Sequence, residues 1–191
     1  MRLSLPLARM LLSLTLTALA AIPAGATTLI RESLKDLTDS NALIVHGRVM
    51  DIHSYWNAEH TMIMTDVRVR PSEVLKGERV VRDVTFTLLG GTVGDITTLI
   101  IGGPELVPGS EYVLFLNREH LHGDLETLTV RGLVQGAFDV TGEGAARRAF
   151  SQALSHVLLP DDDGLSEPPG GVDGLALDDM LAQVRQLAGD R

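Results

Sequence analysis

Between Ala42 and Leu89 the chain alternates apolar and polar residues with the period of two that marks half-buried β-strands. Leu43, Val45, Gly47 and Val49 share one face of a first strand, after which the inward phase moves to Ile52, Ser54 and Trp56. A period-2 pattern changes phase only through an extra residue, so a β-bulge is expected near Met50-Asp51. Gly47 fits a site of tight backbone approach. Asn57-Ala58-Glu59 makes a turn, and Ile63, Thr65, Val67 and Val69 then alternate with Met64, Asp66, Arg68 and Arg70, a strand with one wet face. Pro71 ends the pairing of this strand on one side or marks an edge. Leu75-Lys76-Gly77 turns the chain into a third strand carrying Val84, Phe86 and Leu88.

Before this block, Ser33 and Asp36 have the spacing of a capping box, followed by about two helical turns with Leu34 and Leu37 inward. After it, Gly90 to Asp95 reads as a loop and Thr97 to Ile101 as a fourth strand closed by Gly102-Gly103-Pro104. Tyr112 to Leu116 is an unbroken apolar run, the mark of a strand buried on both faces. Asn117 to Asp124 reads as a polar loop, Leu128 to Val130 as strand, and Val134, Gly136, Phe138 and Val140 alternate again. The stretch from Ala145 to His156 is open to two readings, a hairpin strand over Ala146 to Phe150 or a helix. Residues 159–174, rich in Asp, Pro and Gly, read as a flexible linker. Leu177, Leu181, Val184 and Ala188 form one helical stripe. The expected fold is mainly β, a small closed or partly open antiparallel barrel of the OB-like kind. It has a short N-terminal helix and a C-terminal helix that docks on the barrel or mediates association.

The first residues add a compartment. Arg2 and Arg9 precede an apolar run from Met10 to Ala21 and then Ala24-Gly25-Ala26, the form of a cleaved export signal. The domain plan is therefore a signal peptide over 1–26, a barrel domain over 27–158, the linker over 159–174 and an amphipathic helix over 175–191. The apolar core of the signal is shorter than the ~20 residues of a membrane span, so export to the periplasm or beyond, with no span in the mature protein, is expected. The chain has 191 residues, 16 Lys and Arg, 25 Asp and Glu, and no cysteine. Removing the signal takes away Arg2 and Arg9 and no acid, leaving 14 basic against 25 acidic residues, a net charge of −11. That surface repels phosphate backbones and anionic lipid, which disfavours nucleic acid as a partner. With no disulfide available, packing alone must stabilise the exported fold.

Candidate chemistry is sparse. His120-x-His122, with Asp124 close by, would place two imidazoles on one face of an extended segment, a weak candidate for metal. No third ligand stands at a diagnostic spacing. His53 and His60 flank the first hairpin, and His46 reads as an outward strand residue. Gly90-Gly91-Thr92-Val93-Gly94 lacks the following Gly-Lys-Ser/Thr and helix that would cradle phosphate, so it reads as a structural turn. No serine lies in Gly-x-Ser-x-Gly, and Asp161 to Asp163 lack the regular spacing of a calcium loop. No cofactor is implied. Tyr55 and Trp56 offer an aromatic platform at a strand end.

Taken in order, Ser33-Leu34 with Leu37, Val45-His46-Gly47-Arg48-Val49, Val74-Leu75-Lys76-Gly77, Gly90-Gly91-Thr92-Val93-Gly94, Pro108-Gly109 with Val113 to Leu116, and Gly132 to Phe138 with Gln135-Gly136 form a recurring pattern. It resembles a widespread family of exported, uncharacterised bacterial proteins. That resemblance implies no established activity, only a loose association with secreted zinc metalloproteases. A more distant likeness is to netrin-like domains, OB-type barrels that include the tissue inhibitors of metalloproteinases. Those inhibitors chelate zinc through an amino-terminal cysteine, which this chain lacks. The expected function is a non-enzymatic module binding a protein or peptide partner through loops around Tyr55, Trp56, Gly90, Gly91, Gly94, His120 and His122. The alternatives are a metal-dependent hydrolase using His120 and His122, and a structural envelope component.

Overall fold

The computed structural model describes residues 32–78, 82–122, 125–155 and 174–189. The expected signal peptide and nearly all of the expected linker lie outside the described residues. Helix α1 spans Leu34–Ser40; its capping box is formed, with the Ser33 side chain accepting from the Asp36 amide and Asp36 accepting from the Ser33 amide. Strands follow as β1 (Leu43–Trp56), β2 (Ile63–Lys76), β3 (Val84–Leu89), β4 (Gly91–Val93), β5 (Ile96–Thr98), β6 (Glu111–His122), β7 (Leu125–Val130), β8 (Ala137–Thr141), β9 (Arg148–Ser151) and β10 (Leu175–Ala176). Helix α2 spans Leu177–Gly189 and ends the described chain. Short 3-10 turns cover Leu133–Gly136, Gly144–Ala146 and Gln152–Ser155.

The fold is mainly β. Eight strands form one antiparallel sheet in the order β10-β9-β8-β6-β1-β2-β3, with β7 also paired to β6, while β4 and β5 form a separate hairpin. The sheet is not closed by a hydrogen-bonded ladder. Among the described residues no ladder joins β3 to β7, which approach with the Thr87 and Thr127 hydroxyls 3.1 Å apart.

Strand β1 carries the phase change that its alternation demands. Val49 pairs with Val69 and Asp51 with Arg68, so Met50 is the extra residue. Gly47 lies opposite Pro71, and a Cβ there would sit 2.5 Å from the Arg70 carbonyl oxygen. Pro71 stands just past Val69, the last β2 residue paired to β3, where a missing N–H costs no ladder bond.

Where they pair, β1 over Leu43 to Gly47 and β6 over Tyr112 to Leu116 are buried on both faces, and each face has its own core. Leu34, Leu37, Ile44, Val113, Phe115, Phe138, Leu177, Met180 and Val184 pack on the helical side. On the other face Val45, Val67, Phe86, Leu114, Leu116 and Ala137 pack together. Helix α2 spends its apolar stripe on this internal contact, with Leu177, Met180, Leu181 and Val184 buried. No helix among the described residues is long and apolar enough to cross a membrane.

Several sequence expectations need correction. Gly91–Val93 is a strand of a hairpin whose turn is Gly94-Asp95, and the following strand is Ile96–Thr98, not Thr97 to Ile101. Asn117–His122 is no loop: β6 runs on through it, paired to β7 with a register shift between His120 and His122. A hairpin partner holds this arm extended, so its polarity does not report its backbone. Val134 and Gly136 lie in a 3-10 turn, and β8 starts at Ala137. Of the two readings over Ala145 to His156, strand holds for Arg148–Ser151, which pairs with β8.

Candidate functional site

The inner faces of β1, β2 and β3 end in a groove of about 720 Å³, within the ~300–1,000 Å³ range of ligand sites. Ile52 and Ser54 from β1, Thr65 and Val67 from β2 and Leu88 from β3 form one wall. The chain from Leu99 to Val107 forms the other. The bulge at Met50 is what turns Ile52 and Ser54 onto this face.

The floor is a hydroxyl relay. Ser54 Oγ and Thr65 Oγ1 are 2.8 Å apart, and Thr65 Oγ1 donates to the Gly90 carbonyl at 2.6 Å. Gly91 lies on this pair with φ +127, and any Cβ there would fall on both hydroxyls. Two glycines in succession thus let the β4–β5 hairpin leave the sheet across a polar spot.

The outer wall is anchored at its far end. Gln152 accepts from the Glu105 amide at 3.0 Å and donates to the Glu105 carbonyl at 2.7 Å, and its amide also donates to Asp139 at 3.0 Å. The Val107 amide donates to the Tyr112 hydroxyl at 2.9 Å, and the Arg48 guanidinium donates to the Gly109 carbonyl. Burial raises the Asp139 carboxyl above its ordinary value; the Gln152 hydrogen bond opposes that, and the Glu105 charge adds to it. Between these anchors and the hairpin, Leu99 is 81% and Ile101 88% exposed. Ile96 and Val107 are also exposed large apolar residues. Among the described residues lining the groove, Glu105 is the one with a titratable side chain.

The structure places the sequence-derived candidates in separate positions. Gly90 and Gly91 line the groove, and Gly94 is exposed in the turn of its hairpin. Tyr55 faces the opposite side of β1, where its hydroxyl donates to Asp66 at 3.1 Å and its ring stacks on His53 at 6.1 Å. Burial raises the Tyr55 hydroxyl, helped by the Asp66 charge. Trp56 ends β1 with its ring 6.4 Å from that of His60. His120 is exposed on the β6–β7 arm, which extends past the Leu43 end of β1, opposite Trp56. The His122 side chain and Asp124 lie outside the described residues. Among the described residues no group of three His, Cys, Asp or Glu could hold a metal ion.

His46 corrects its expectation. It is buried at 4% exposure and lies 2.5 Å from Glu111, which also meets Arg147 at 3.3 Å. Alternation alone puts this residue on the wet face, because its partner Glu111 is 65 residues away in the sequence. The groove lip was missed for a different reason. Leu99-Ile100-Ile101 looks like the end of a strand, and only its bracketing by Thr97-Thr98 and Gly102-Gly103-Pro104 signals an apolar run in a turn-rich connection.

Comparison with protein-family models, with curated proteins and with solved structures finds no match to this chain.

Proposed function

We propose that this protein is an exported, non-enzymatic binding module that takes a protein or peptide partner in the groove between the β1–β3 face and the Leu99 to Val107 segment. The carrying observation is the exposure of Leu99 and Ile101 at the lip of a mainly apolar groove. Exposed apolar surface joined to a concave site is the usual mark of an interaction surface. A described lining of apolar residues, glycines and hydroxyls, with Glu105 the one titratable group among them, suits recognition better than proton transfer.

On this reading the sheet is a partly open, OB-like barrel: β3 and β7 approach through Thr87 and Thr127, and the groove is its mouth. The resemblance to exported bacterial proteins and to netrin-like domains supports that architecture, and a secreted protease is one partner it brings forward. Export through the leader over residues 1–26 belongs to the same reading.

A photo-crosslinking side chain at Leu99, exposed to periplasmic and culture fractions of the native cell, tests it. Capture of one defined polypeptide, lost when Ile101 is changed to Asp, supports the reading. No capture, or capture indifferent to Ile101→Asp, ends it.

A further inference from the structure

Beside the groove, β1 has an edge that carries no partner strand among the described residues. Strand β6 pairs with β1 only over Leu43 to Arg48, and beyond the bulge β1 is paired to β2 alone. The direction of each backbone group follows from the bonds at the two ends of this stretch. The Val49 amide donates to the Ser110 carbonyl at 3.0 Å, so Val49 faces the outer edge. The Asn57 amide donates to the Met62 carbonyl at 2.9 Å, so Asn57 faces β2. Counting back from Asn57 by alternation, Tyr55, His53 and Asp51 face β2, whereas Trp56, Ser54 and Ile52 turn their N–H and C=O groups outward. Among the described residues no backbone group pairs with those three.

The side chains of Ile52 and Ser54 line the groove, so the unpaired backbone and the apolar site are two sides of one feature. Proline and lysine are two of the devices that blunt a free edge, and a bulge, here at Met50 before the stretch, is another. The sequence from Asp51 to Trp56 has neither proline nor lysine.

We infer that the edge of β1 from Ile52 to Trp56 receives an extended segment of a partner polypeptide, which adds a strand to the sheet and sets alternate apolar side chains in the groove. The inference deepens the binding-module reading and rests on it. An edge of outward N–H and C=O groups calls for a main chain as its complement, and specificity then comes from every second side chain. Ile52, Val67, Leu88, Leu106 and Ile101 make the pocket for those side chains apolar. Residues flanking the segment are basic, since the exposed Glu105 lines the groove and the chain carries a net charge of −9. That charge also disfavours a second copy of this chain as the added strand.

The test is amide hydrogen exchange on the whole protein, alone and with a peptide of alternating valine and threonine between terminal lysines. Its control is the same peptide N-methylated at every residue, which keeps the side chains and removes the main-chain donors. The expected result is fast exchange at Ile52, Ser54 and Trp56 in the free protein, slowed at least tenfold by the plain peptide and not by the methylated one. Slow exchange at these amides in the free protein at every dilution would show the edge already covered and overturn the inference. Protection that grows with protein concentration would assign the edge to a second copy and overturn it as well. Absence of slowing by the plain peptide would do the same. Equal binding of both peptides, lost on Ile101→Asp, would overturn strand addition while leaving the groove as a binding site.

Discussion

Arg185 reaches from α2 to Glu73 on β2 and makes two parallel hydrogen bonds, Nε to Oε1 at 2.6 Å and Nη2 to Oε2 at 2.8 Å. The Arg185 hydrogen bond is the main reason the Glu73 carboxyl lies below its ordinary value. A lowered carboxyl contributes stability above the usual glutamate range and loses it as pH falls through the folded-state value. Both groups are partly exposed, so Arg185→Ala is expected to lower stability by at most about 1 kcal/mol at neutral pH. Denaturant melts of the two proteins should converge once pH falls well below the carboxylate range.

Asp139 titrates with the opposite sign. Burial raises its carboxyl, so the charged form opposes folding above the ordinary aspartate value. Asp139→Asn keeps an oxygen to accept from Gln152 and removes the charge. It should raise the melting temperature at pH 7, and that gain should vanish below the pH at which the aspartate is protonated in both folded and unfolded chains. A variant no more stable than the parent at pH 7 would contradict this account of the anchor.

Gly91→Ala should be one of the costlier single-methyl additions in the chain. The new methyl falls on Ser54 Oγ and Thr65 Oγ1 at a backbone angle that non-glycine residues rarely adopt. The expected loss is about 2 kcal/mol or more, against about 1 kcal/mol for Ser54→Ala, which removes one hydroxyl and adds nothing. Thermal melts of the two variants side by side give the ordering.

Leu99→Ser and Ile101→Ser should leave stability within about 0.5 kcal/mol of the parent, as surface substitutions do. Met180→Ala, at a fully buried site under the sheet, should cost about 2–5 kcal/mol. The contrast separates apolar residues retained for the fold from those at the groove lip.

How much of this was legible depended on whether the cause was local. The bulge at Met50, the end of β3 pairing before Pro71 and the capping box of Ser33 and Asp36 are all set by neighbours in sequence. Each could be read from alternation, from a missing donor or from a three-residue spacing. The burial of His46 was not legible, because the Glu111 carboxylate that it meets lies 65 residues on in the sequence. The strand through Asn117–His122 was hidden for a related reason: its partner β7 holds it, and its side chains need not be apolar. The groove showed only its glycine hinge, Gly90-Gly91. Its lip is built by Gln152 clamping Glu105, a relation between distant residues that no periodicity records.

Leu34 and Leu37, close to the start of the described chain, share one core with Leu177, Met180 and Val184 at its end. Such contacts cannot form before the residues of α2 are present, because closing so long a loop has no reward without them. The β1–β2 hairpin closes over a short turn, whereas the helical core joins segments at the two ends of the described chain, so its contacts carry the larger loop-closure cost.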